Sequence, residues 1–437
     1  MKITFTRTRD PNFARILRRI IERRGKKVEK VEGSVRKIID DVGKEGDRAL
    51  SRYSRIFDGV RIRGAGFEVK AQEIDRAMKQ VSRKDLRALR MAARRIARFH
   101  RRQLERSWSY RDPIGVTLGQ RIHALDRVGV YVPGGKACYP STVLMTIIPA
   151  KVAGVREVVM TSPVRDNAAP TLAAAHIAGA DRIFRIGGAQ AIAALALGTR
   201  TVPRVDKIVG PGNVYVAAAK RLVFGQVDID SIAGPSEVLL LVDSHADSSH
   251  VAADMLSQAE HDEMAAALCV TPSLSFARRV KGALDKLIRE TKRRAITLKA
   301  LERYGAIIVT RGLSEGIEIV NAIAPEHVEV MVRQPDKWTR AIRNAGAMFI
   351  GPYSTPPLGD YLAGPNHVLP TGGSARFFSP LGTYDFLKRI SLVRADRKGL
   401  TSLAPWIVHL ARLEGLDEHA RAVESRIKKE GPDGKKG

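Results

Sequence analysis

Cysteine is scarce in this chain of 437 residues, which contains two, Cys138 and Cys269. Two cysteines give no disulfide framework, so the small disulfide-stabilised secreted proteins are excluded. Long apolar runs are also missing: the longest candidate, VLMTIIPAKVAGV, contains a proline and a lysine and is shorter than the roughly 20 residues that span a bilayer. The first residues, MKITFTRTRD, are charged without an apolar segment behind them, so we do not expect them to be a secretory signal. These absences predict a soluble cytoplasmic protein with no membrane partner.

Acidic residues are outnumbered, with 46 Asp and Glu against 74 Lys and Arg, and the formal charge is +28. Such an excess is typical of nucleic-acid-binding proteins. Much of it lies within 1–112, which holds 33 Lys and Arg against 15 Asp and Glu, largely on a predicted amphipathic helix in 83–108. No helix-turn-helix, zinc-finger or aromatic RNA-binding signature accompanies it. We therefore expect no nucleic-acid partner and keep a binding module only as an alternative.

Short β-branched runs alternate with alanine-rich helical stretches from about residue 128 onward. Strands buried on both faces are continuously apolar, and helices connect parallel strands, so this alternation indicates parallel α/β architecture. The predicted strands are 128–132, 157–161, 182–186, 206–210, 238–242, 267–271, 306–310 and 347–351. Periodicity predicts mainly helices before and after this region.

Three Gly/Pro-rich loops each follow a predicted strand and open a helix: VPGGKACYPST (132–142), IGGAQA (186–191) and VGPGNVYV (209–216). In open parallel sheets the ligand crevice lies beyond the carboxyl ends of the strands, and helix N-termini bind anions such as a pyrophosphate. None of the loops is a GxGxxG fingerprint, because Tyr215 occupies the third glycine position of GPGNVY. The loops indicate either a dinucleotide site or tight turns only.

A further group of polar residues has donor atoms suited to a metal ion. Gln258 and His261 are three residues apart at the end of a predicted helix, so their side chains would leave the same face. Other oxygen and nitrogen donors are Asp360, His367, Glu414 and His419. Such donors suit a borderline ion such as Zn²⁺, but a lone histidine on a helix is more often structural, and spacing does not select four ligands.

Glu326 and His327 form an ionisable pair between a proline and an apolar strand, in IAPEHVEVMV. Adjacent side chains of a strand point to opposite faces, but at its start both can reach a crevice. Histidine has an unperturbed pKa near working pH, as a general base requires. The pair is interpreted either as a polar strand cap or as a carboxylate and an imidazole that share proton transfer.

Seven segments occur in a fixed order: GVYVPGGKACYPSTVLMTIIPAKVAGV, GGAQAIAALALGT, VGPGNVYV, AGPSEVLL, SQAEHD, APEHVE and GDYLAGPNHVLPTGG. Together they resemble the histidinol dehydrogenase family, over about residues 10–425. The resemblance implies zinc- and NAD-dependent oxidation of L-histidinol through L-histidinal to L-histidine, the last steps of histidine biosynthesis. It also implies a homodimer in which Glu414 and His419 come from the partner's C-terminal region. Cys138 departs from the family's pattern, where a small alanine is more usual, and no implied role depends on it.

The resemblance assigns roles to individual residues by motif. Glu326 and His327 are the implied acid–base pair. The implied ligands of one zinc ion per subunit are Gln258, His261, Asp360 and His419. The implied NAD⁺ contacts are Tyr131, Gln190 and Asn213. The implied substrate contacts are Ser236, Gln258, His261, His327, Asp360, His367, Glu414 and His419.

The implied fold is α/β, with two Rossmann-like parallel-sheet domains that lack a standard GxGxxG and with small helical terminal segments. The predicted divisions are a helical arm at 1–25, a first α/β domain with the metal and catalytic residues at 26–127 and 237–380, a second with the NAD loops at 128–236, a helical segment completing the site at 381–425, and a disordered tail at 426–437.

Two other enzyme classes fit parts of the sequence. A zinc hydrolase would use Glu326 and His327 to activate a metal-bound water, but it would have no use for the three glycine loops. A thiol-dependent aldehyde dehydrogenase would use Cys138, but nothing near it offers a base beyond Lys136. Cys269 lies in an apolar strand and is predicted to be core.

Overall fold

The computed structural model describes residues 1–22, 26–134, 138–163, 168–232 and 234–428. The strands are β1 Thr4–Arg7, β2 Trp108–Arg111, β3 Thr117–Ala124, β4 Arg127–Tyr131, β5 Glu157–Thr161, β6 Arg182–Phe184, β7 Lys207–Val209, β8 Asp228–Ile229, β9 Glu237–Val242, β10 Ala266–Thr271, β11 Ala306–Val309, β12 His327–Met331, β13 Ala347–Ile350 and β14 Leu387–Arg394.

The helices are α1 Phe13–Glu22, α2 Lys26–Glu45, α3 Asp47–Tyr53, α4 Ala71–Gln80, α5 Arg83–His100, α6 Pro140–Ala153, α7 Ala169–Ala178, α8 Gly188–Leu197, α9 Val214–Val223, α10 Ser248–Ala259, α11 Leu274–Leu287, α12 Arg294–Tyr304, α13 Leu313–Ile323, α14 Pro335–Thr339, α15 Pro356–Leu358, α16 Arg397–Leu413 and α17 Asp417–Ile427. Single π-helical turns occupy Ser54–Asp58 and Gly359–Ala363. Short 3₁₀ helices occupy Gly64–Phe67, Arg101–Gln103, Ser374–Arg376 and Thr383–Phe386.

These elements form two compact units. The larger consists of Met1–Gln103 with Leu125–Phe386, and the smaller consists of Leu104–Ala124 with the described chain from Leu387 onward. Within the described ranges, none of the helices has the length and apolar character that a bilayer crossing requires.

A six-stranded parallel sheet in the order β1-β11-β10-β9-β12-β13 forms one half of the larger unit. Strands β9, β10 and β12 are buried along their whole length, which explains the largely apolar sequences of β9 and β10; β12 also buries His327 and Glu329. Helices α10 and α11 pack on one face of this sheet, and α1 and α13 pack on the other. His327 is level with Val238 and Ala347, so β9, β12 and β13 begin at the same edge.

A five-stranded parallel sheet in the order β6-β5-β4-β7-β8 forms the other half. Helices α6 and α7 cover one face and α8 and α9 the other. The N-terminal helices add an outer layer, because α2 packs on α8 and α9, while α4 packs on α7 and α5 on α6. The predicted domain division placed 26–127 with the six-stranded sheet; it stays a prediction, although these helices pack mainly on the five-stranded one.

The smaller unit contains an antiparallel sheet, β14-β3-β2, and a pair of helices, α16 and α17, that pack against each other. Asp396 caps the start of α16, where its carboxylate accepts the Gly399 N–H and pairs with Arg111 at 2.8 Å. Helix α17 begins at Asp417, between Glu414 and His419.

The predicted α/β class is confirmed, and all eight predicted strands occur within two residues of their predicted ends. Two features differ. The predicted N-terminal helical arm contains β1, which pairs with β11 at the sheet edge, and the predicted C-terminal helical segment opens with β14. Strands β2 and β14 are exposed almost throughout, so no buried apolar run marks them in the sequence.

Candidate active site

Glu326 and His327 lie where α13 passes into β12, at the amino edge of the six-stranded sheet. The residue after α13, Ala324, has a left-handed backbone (φ 49°), which costs a non-glycine residue roughly 1 kcal/mol. Pro325 cannot continue the helix and leads into the strand. A side chain at Gly346 would lie 2.6 Å from the Glu326 carbonyl oxygen, so only glycine lets the neighbouring strand approach so closely.

Both side chains of the pair are buried against the backbone of Glu237, at the start of β9. The Glu237 N–H donates to Oε2 of Glu326 at 2.9 Å, and Nδ1 of His327 lies 3.1 Å from the Glu237 carbonyl oxygen, which accepts. In the neutral form of the ring, Nδ1 is the donor and Nε2 carries the lone pair. This Nε2 is buried and has no hydrogen-bond partner within the described residues. When the ring is neutral, Nε2 is placed to take a proton from a ligand, although the neighbouring carboxylates favour the protonated ring.

Protonation of the pair is tuned by burial and by mutual charge. Burial raises the pKa of Glu326 to about 7, although the neighbouring imidazole opposes the change. Burial lowers the pKa of His327, but the Glu326 carboxylate at 3.8 Å and the Asp360 carboxylate at 3.8 Å outweigh burial and raise it. Proton exchange near neutral pH is the chemistry that such a pair supports.

Asp360 connects this pair to two further histidines. It lies in the wide turn Gly359–Ala363. Burial opposes its ionisation, but His327, then His367 and His261, lower the pKa of the carboxyl. Nδ1 of His367 lies 3.1 Å from the Asp360 carbonyl oxygen, and burial lowers the pKa of His367, so its neutral ring donates from Nδ1 and presents Nε2 as an acceptor. The structure thus places Asp360 near His261, His327 and His367.

Gln258 and His261 lie at the end of α10. The helix ends at Ala259 with Glu260 as its C-cap, so His261 follows the helix rather than continuing the face that was predicted. A tight turn still keeps the two residues adjacent, because the His261 N–H donates to the Gln258 carbonyl at 3.3 Å. Ser236 directly precedes β9 and belongs to the same amino edge.

The implied cofactor residues lie at the carboxyl edge of the five-stranded sheet. Tyr131 ends β4, and its buried hydroxyl accepts the Gly188 N–H at 3.2 Å. Asn213 caps α9, where its amide oxygen accepts the Tyr215 N–H at 3.0 Å. Gln190 is 1% exposed, and neither polar atom of its amide has a hydrogen-bond partner in the described chain. A buried unpaired amide is rare, and a polar ligand or a water at this edge would satisfy it.

The loop between β7 and α9 is held from beneath by a buried ion pair, Lys220 with Asp230. The Lys220 ammonium also donates to the Gly210 carbonyl at 3.1 Å, and Asp230 accepts the Gly210 N–H at 2.7 Å. Gly210 has φ 113°, and a Cβ there would lie 2.1 Å from the Tyr131 carbonyl oxygen. The backbone that leads to Asn213 is therefore fixed.

One cavity of about 1290 Å³ joins the two groups of residues. Its lining includes Gly134 and Asn213 from the glycine loops and His261 and Asp360 from the polar cluster. A neighbouring cavity of about 640 Å³ also reaches Asp360 and is lined by His367. A dinucleotide on the glycine loops and a small polar molecule at Asp360 would thus meet in one space.

The donors in the larger unit fit a zinc ion in kind: an amide oxygen, an imidazole and a carboxylate, from Gln258, His261 and Asp360. No cluster of three or more His, Cys, Asp or Glu side chains able to hold a metal occurs in the described part of this chain. The remaining implied residues, Glu414 and His419, are exposed in the smaller unit, at the C-cap of α16 and in the first turn of α17. Their roles stay predictions.

The two cysteines differ in environment. Cys269 is fully buried in β10, and burial raises its pKa to about 12, which confirms the predicted core position. Cys138 is exposed and lines the larger cavity. Lys136, its proposed base, lies outside the described residues.

Comparisons with known proteins identify the family. The sequence model described as histidinol dehydrogenase matches residues 21–427. The chain belongs to the histidinol dehydrogenase family. The relative from Syntrophotalea carbinolica is 52% identical over 421 residues, covering 96% of this chain and 98% of the relative. The Aquifex aeolicus relative is 52% identical over 398 residues, covering 91% and 93%.

A crystal structure of histidinol dehydrogenase from Elizabethkingia anophelis has the same fold, with a TM-score of 0.92, 33% identity, and coverage of 97% of this chain and 98% of that one. The family resemblance predicted from the seven motifs is therefore confirmed, and the chain is an oxidoreductase of the histidinol dehydrogenase family.

Two residues of this family member's site were not predicted from the sequence. Glu237 orients Glu326 and His327 through its backbone and accepts the Gly372 N–H at 3.1 Å through its carboxylate. Glu329 is a fully buried acid within β12. A glutamate beside the apolar residues of a predicted strand, as in SEVLLL and EHVEVM, is the signal that could have identified both.

Proposed function

We propose that this chain oxidises L-histidinol through L-histidinal to L-histidine in two NAD- and zinc-dependent steps, which complete histidine biosynthesis. The observation that carries the proposal is the buried Glu326–His327 pair, in contact with Asp360 and beside a cavity that reaches the glycine loops. Membership of the histidinol dehydrogenase family supports the choice of substrate.

The implied ligands fit the residues present. When bound, NAD⁺ supplies the hydride acceptor, and Zn²⁺ supplies an anchor for the imidazole and amine of histidinol, a positioning role rather than activation of water. The residues that would hold the ion are Gln258, His261, Asp360 and His419. The residues that would hold the dinucleotide are Tyr131, Gln190 and Asn213. Ser236, His367 and Glu414 would complete the contacts to substrate.

Proton transfer falls to the buried pair. His327 takes the proton of the alcohol at Nε2 in the first oxidation, while the Glu237 carbonyl holds the ring through Nδ1. Glu326 then accepts a proton from water as the water adds to the aldehyde, a role that suits a carboxylate whose pKa is raised by burial. His327 takes the hydroxyl proton of the resulting hydrate in the second oxidation.

The proposal includes a homodimer in which each chain supplies Glu414 and His419 to the other chain's site. Both residues are exposed in the single chain. Helix α16 also exposes Trp406, Leu410 and Leu413, which follow one another at the spacing of a single helix face. An exposed apolar face of this kind is typical of a protein–protein interface.

The proposed function is tested with purified metal-replete protein, L-histidinol and NAD⁺. We expect two NADH formed for each L-histidine and no release of histidinal, and we expect no NADH from chelator-treated protein. Absence of histidinol-dependent NADH formation would contradict the proposal. Hydrolytic activity alone would favour the zinc-hydrolase alternative, and salt-sensitive binding to duplex DNA without turnover would favour the nucleic-acid alternative.

A further inference from the structure

A second carboxyl pair lies behind the proposed site. Glu329 follows His327 by two residues in β12, so both side chains leave the same face of the strand. The Glu329 side chain is 0% exposed, and neither of its oxygens accepts a hydrogen bond from a donor in the described chain. Its polar neighbour is Asp254 of α10; burial, and then the charge and hydrogen bonding of Asp254, raise the pKa of Glu329 to about 10.

Two carboxyl groups bond to each other only when one of them holds a proton, because two ionised carboxylates offer acceptors alone. Glu329 is the deeper of the two and is the group that burial keeps neutral. Its O–H can then donate to Asp254, which also accepts the Thr355 hydroxyl at 2.8 Å. With that proton in place, Glu329, Asp254 and Thr355 would form a chain of hydrogen bonds from β12 through α10 to the segment before α15.

Two members of this chain, Asp254 and Thr355, lie in the segments that carry implied zinc ligands. Asp254 precedes Gln258 by one helical turn in α10. Thr355 is the residue before α15 and precedes Asp360 by five positions. The strand that supplies the third member also supplies His327.

We propose that Glu329 is a positioning residue, a buried hydrogen-bond donor that fixes α10 and the Thr355 segment against β12. In this role it sets the spacing between the base, His327, and the zinc ligands Gln258 and Asp360. The inference rests on the proposed function, because it takes these two residues as zinc ligands.

Stability alone does not explain an acid at position 329. A buried carboxyl without a full set of partners lowers the free energy of unfolding, and replacing it with an apolar residue of similar size is often neutral or stabilising. The neighbouring side chains on this face of the sheet, including Met255, Leu256 and Met331, already form an apolar core into which such a residue would fit. The remaining physical reason for an acid at position 329 is its hydrogen bond to Asp254, which in turn accepts the hydroxyl of Thr355.

The test compares two substitutions that differ in the donor they leave. Glu329→Gln keeps the shape and an N–H donor, whereas Glu329→Met keeps the length and removes the donor. Met331→Leu, the next buried position on the same face, is the packing control. For each purified holoenzyme, zinc affinity is measured by chelator competition, together with the thermal midpoint and with kcat and KM for L-histidinol.

We expect Glu329→Met to lose roughly 10- to 100-fold in zinc affinity and to raise KM, since loss of a group that orients metal ligands has effects of that size. Its thermal midpoint should be unchanged or higher. Glu329→Gln and Met331→Leu should stay close to wild type. Wild-type zinc affinity and KM in Glu329→Met would overturn the inference, as would equal losses in the Gln and Met variants with lowered thermal midpoints.

An infrared measurement tests the protonated acid without reference to zinc or turnover. Wild-type protein should show the carbonyl band of a buried protonated carboxylic acid, and Glu329→Gln should lack it. Absence of this band from wild type would overturn the inference. If wild type binds no zinc and oxidises no histidinol, the proposed function fails and the band still reports on Glu329; an active wild type with unaffected variants refutes this inference alone.

Discussion

The two parallel sheets of the larger unit carry the residues proposed to bind ligands at opposite edges. In the five-stranded sheet, Tyr131, Gln190 and Asn213 lie at the carboxyl edge, where strands pass into helices. In the six-stranded sheet, Glu326 and His327 lie at the amino edge, where a helix passes into a strand. The first edge offers glycines, amides and backbone N–H groups, and the second offers ionisable side chains.

Helix polarity accounts for this difference. The carboxyl edge presents the N-termini of α8 and α9, which favour an anion such as a pyrophosphate. The amino edge receives the C-termini of α10 and α13, whose free carbonyls favour a cation. Gln258 lies in the last turn of α10, and Glu326 comes shortly after the end of α13. The charge of each proposed ligand therefore matches the edge at which its residues lie.

The largest expected effect concerns the proton-transferring pair at the amino edge. His327→Asn or Glu326→Gln should retain zinc while turnover falls roughly 10²- to 10⁴-fold, the usual contribution of a positioned acid or base. Histidinol-dependent NADH formation and zinc content per chain are the two measurements. Loss of bound zinc from either purified variant would show that the pair holds the ion rather than moving protons.

Removing a donor at the same edge should have a different signature. His261→Ala or Asp360→Ala should lose zinc affinity by at least roughly 100-fold and histidinol binding with it, because the ion positions the substrate. Equilibrium binding of histidinol is measured with and without added zinc. Undiminished histidinol affinity in a zinc-free variant would argue against the anchoring role.

At the carboxyl edge the expected effects are smaller, because single neutral hydrogen bonds are involved. Gln190→Leu should weaken NAD⁺ binding by up to about tenfold, the value of one such bond, and leave zinc content unchanged. NAD⁺ affinity is measured by titration against wild type, with Ile192→Val in the same helix as control. Unchanged NAD⁺ affinity would remove Gln190 from the cofactor site.

The amino edge of the five-stranded sheet also has a buried acid, but there we expect it to affect stability and not catalysis. There Asp385 lies 3.7 Å from Lys207 at the start of β7, and burial raises the pKa of Asp385 to about 6 despite the lysine. A raised folded-state pKa stabilises at low pH and loses that stabilisation as pH rises through about 6. Relative to Asp385→Asn, wild type should therefore gain about 1 kcal/mol in free energy of unfolding between about pH 8 and about pH 5.

Denaturant unfolding of both proteins at the two pH values checks this sign. A wild type that loses stability relative to Asp385→Asn on acidification would contradict it. Neither the Asp385→Asn substitution nor the change in stability with pH should alter turnover, since this edge carries no proposed catalytic group.

Sequence patterns were sufficient to predict the α/β class, because buried strands and the turns beside them leave signals within a few consecutive residues. Continuous apolar runs marked β4, β5, β9 and β10, and the glycines of IGGAQA and VGPGNVYV marked the turns beside them. Exposed strands carry no such signal, which is why β2 and β14 were missed. Strand β1 was missed because four residues at a sheet edge do not form a recognisable alternation.

The arrangement of the site depends on contacts that no local pattern encodes. Glu237 lies beside His327 because β9 pairs with β12, strands about 90 residues apart in the sequence. Motif resemblance supplied Asp360 and His367 as candidates, and the fold places them beside His327. The Asp254–Glu329 contact needs the helix and the strand together, so the spacing of neither segment reveals it.

Anomalous X-ray scattering at the zinc absorption edge, from crystals of zinc-loaded protein, tests most directly whether the amino edge of the six-stranded sheet is a cation site. We predict one peak per chain, about 2.0–2.2 Å from donor atoms of Gln258, His261 and Asp360, with His419 of the partner subunit completing the set. A peak elsewhere, or none, in protein that still converts histidinol to histidine would contradict it.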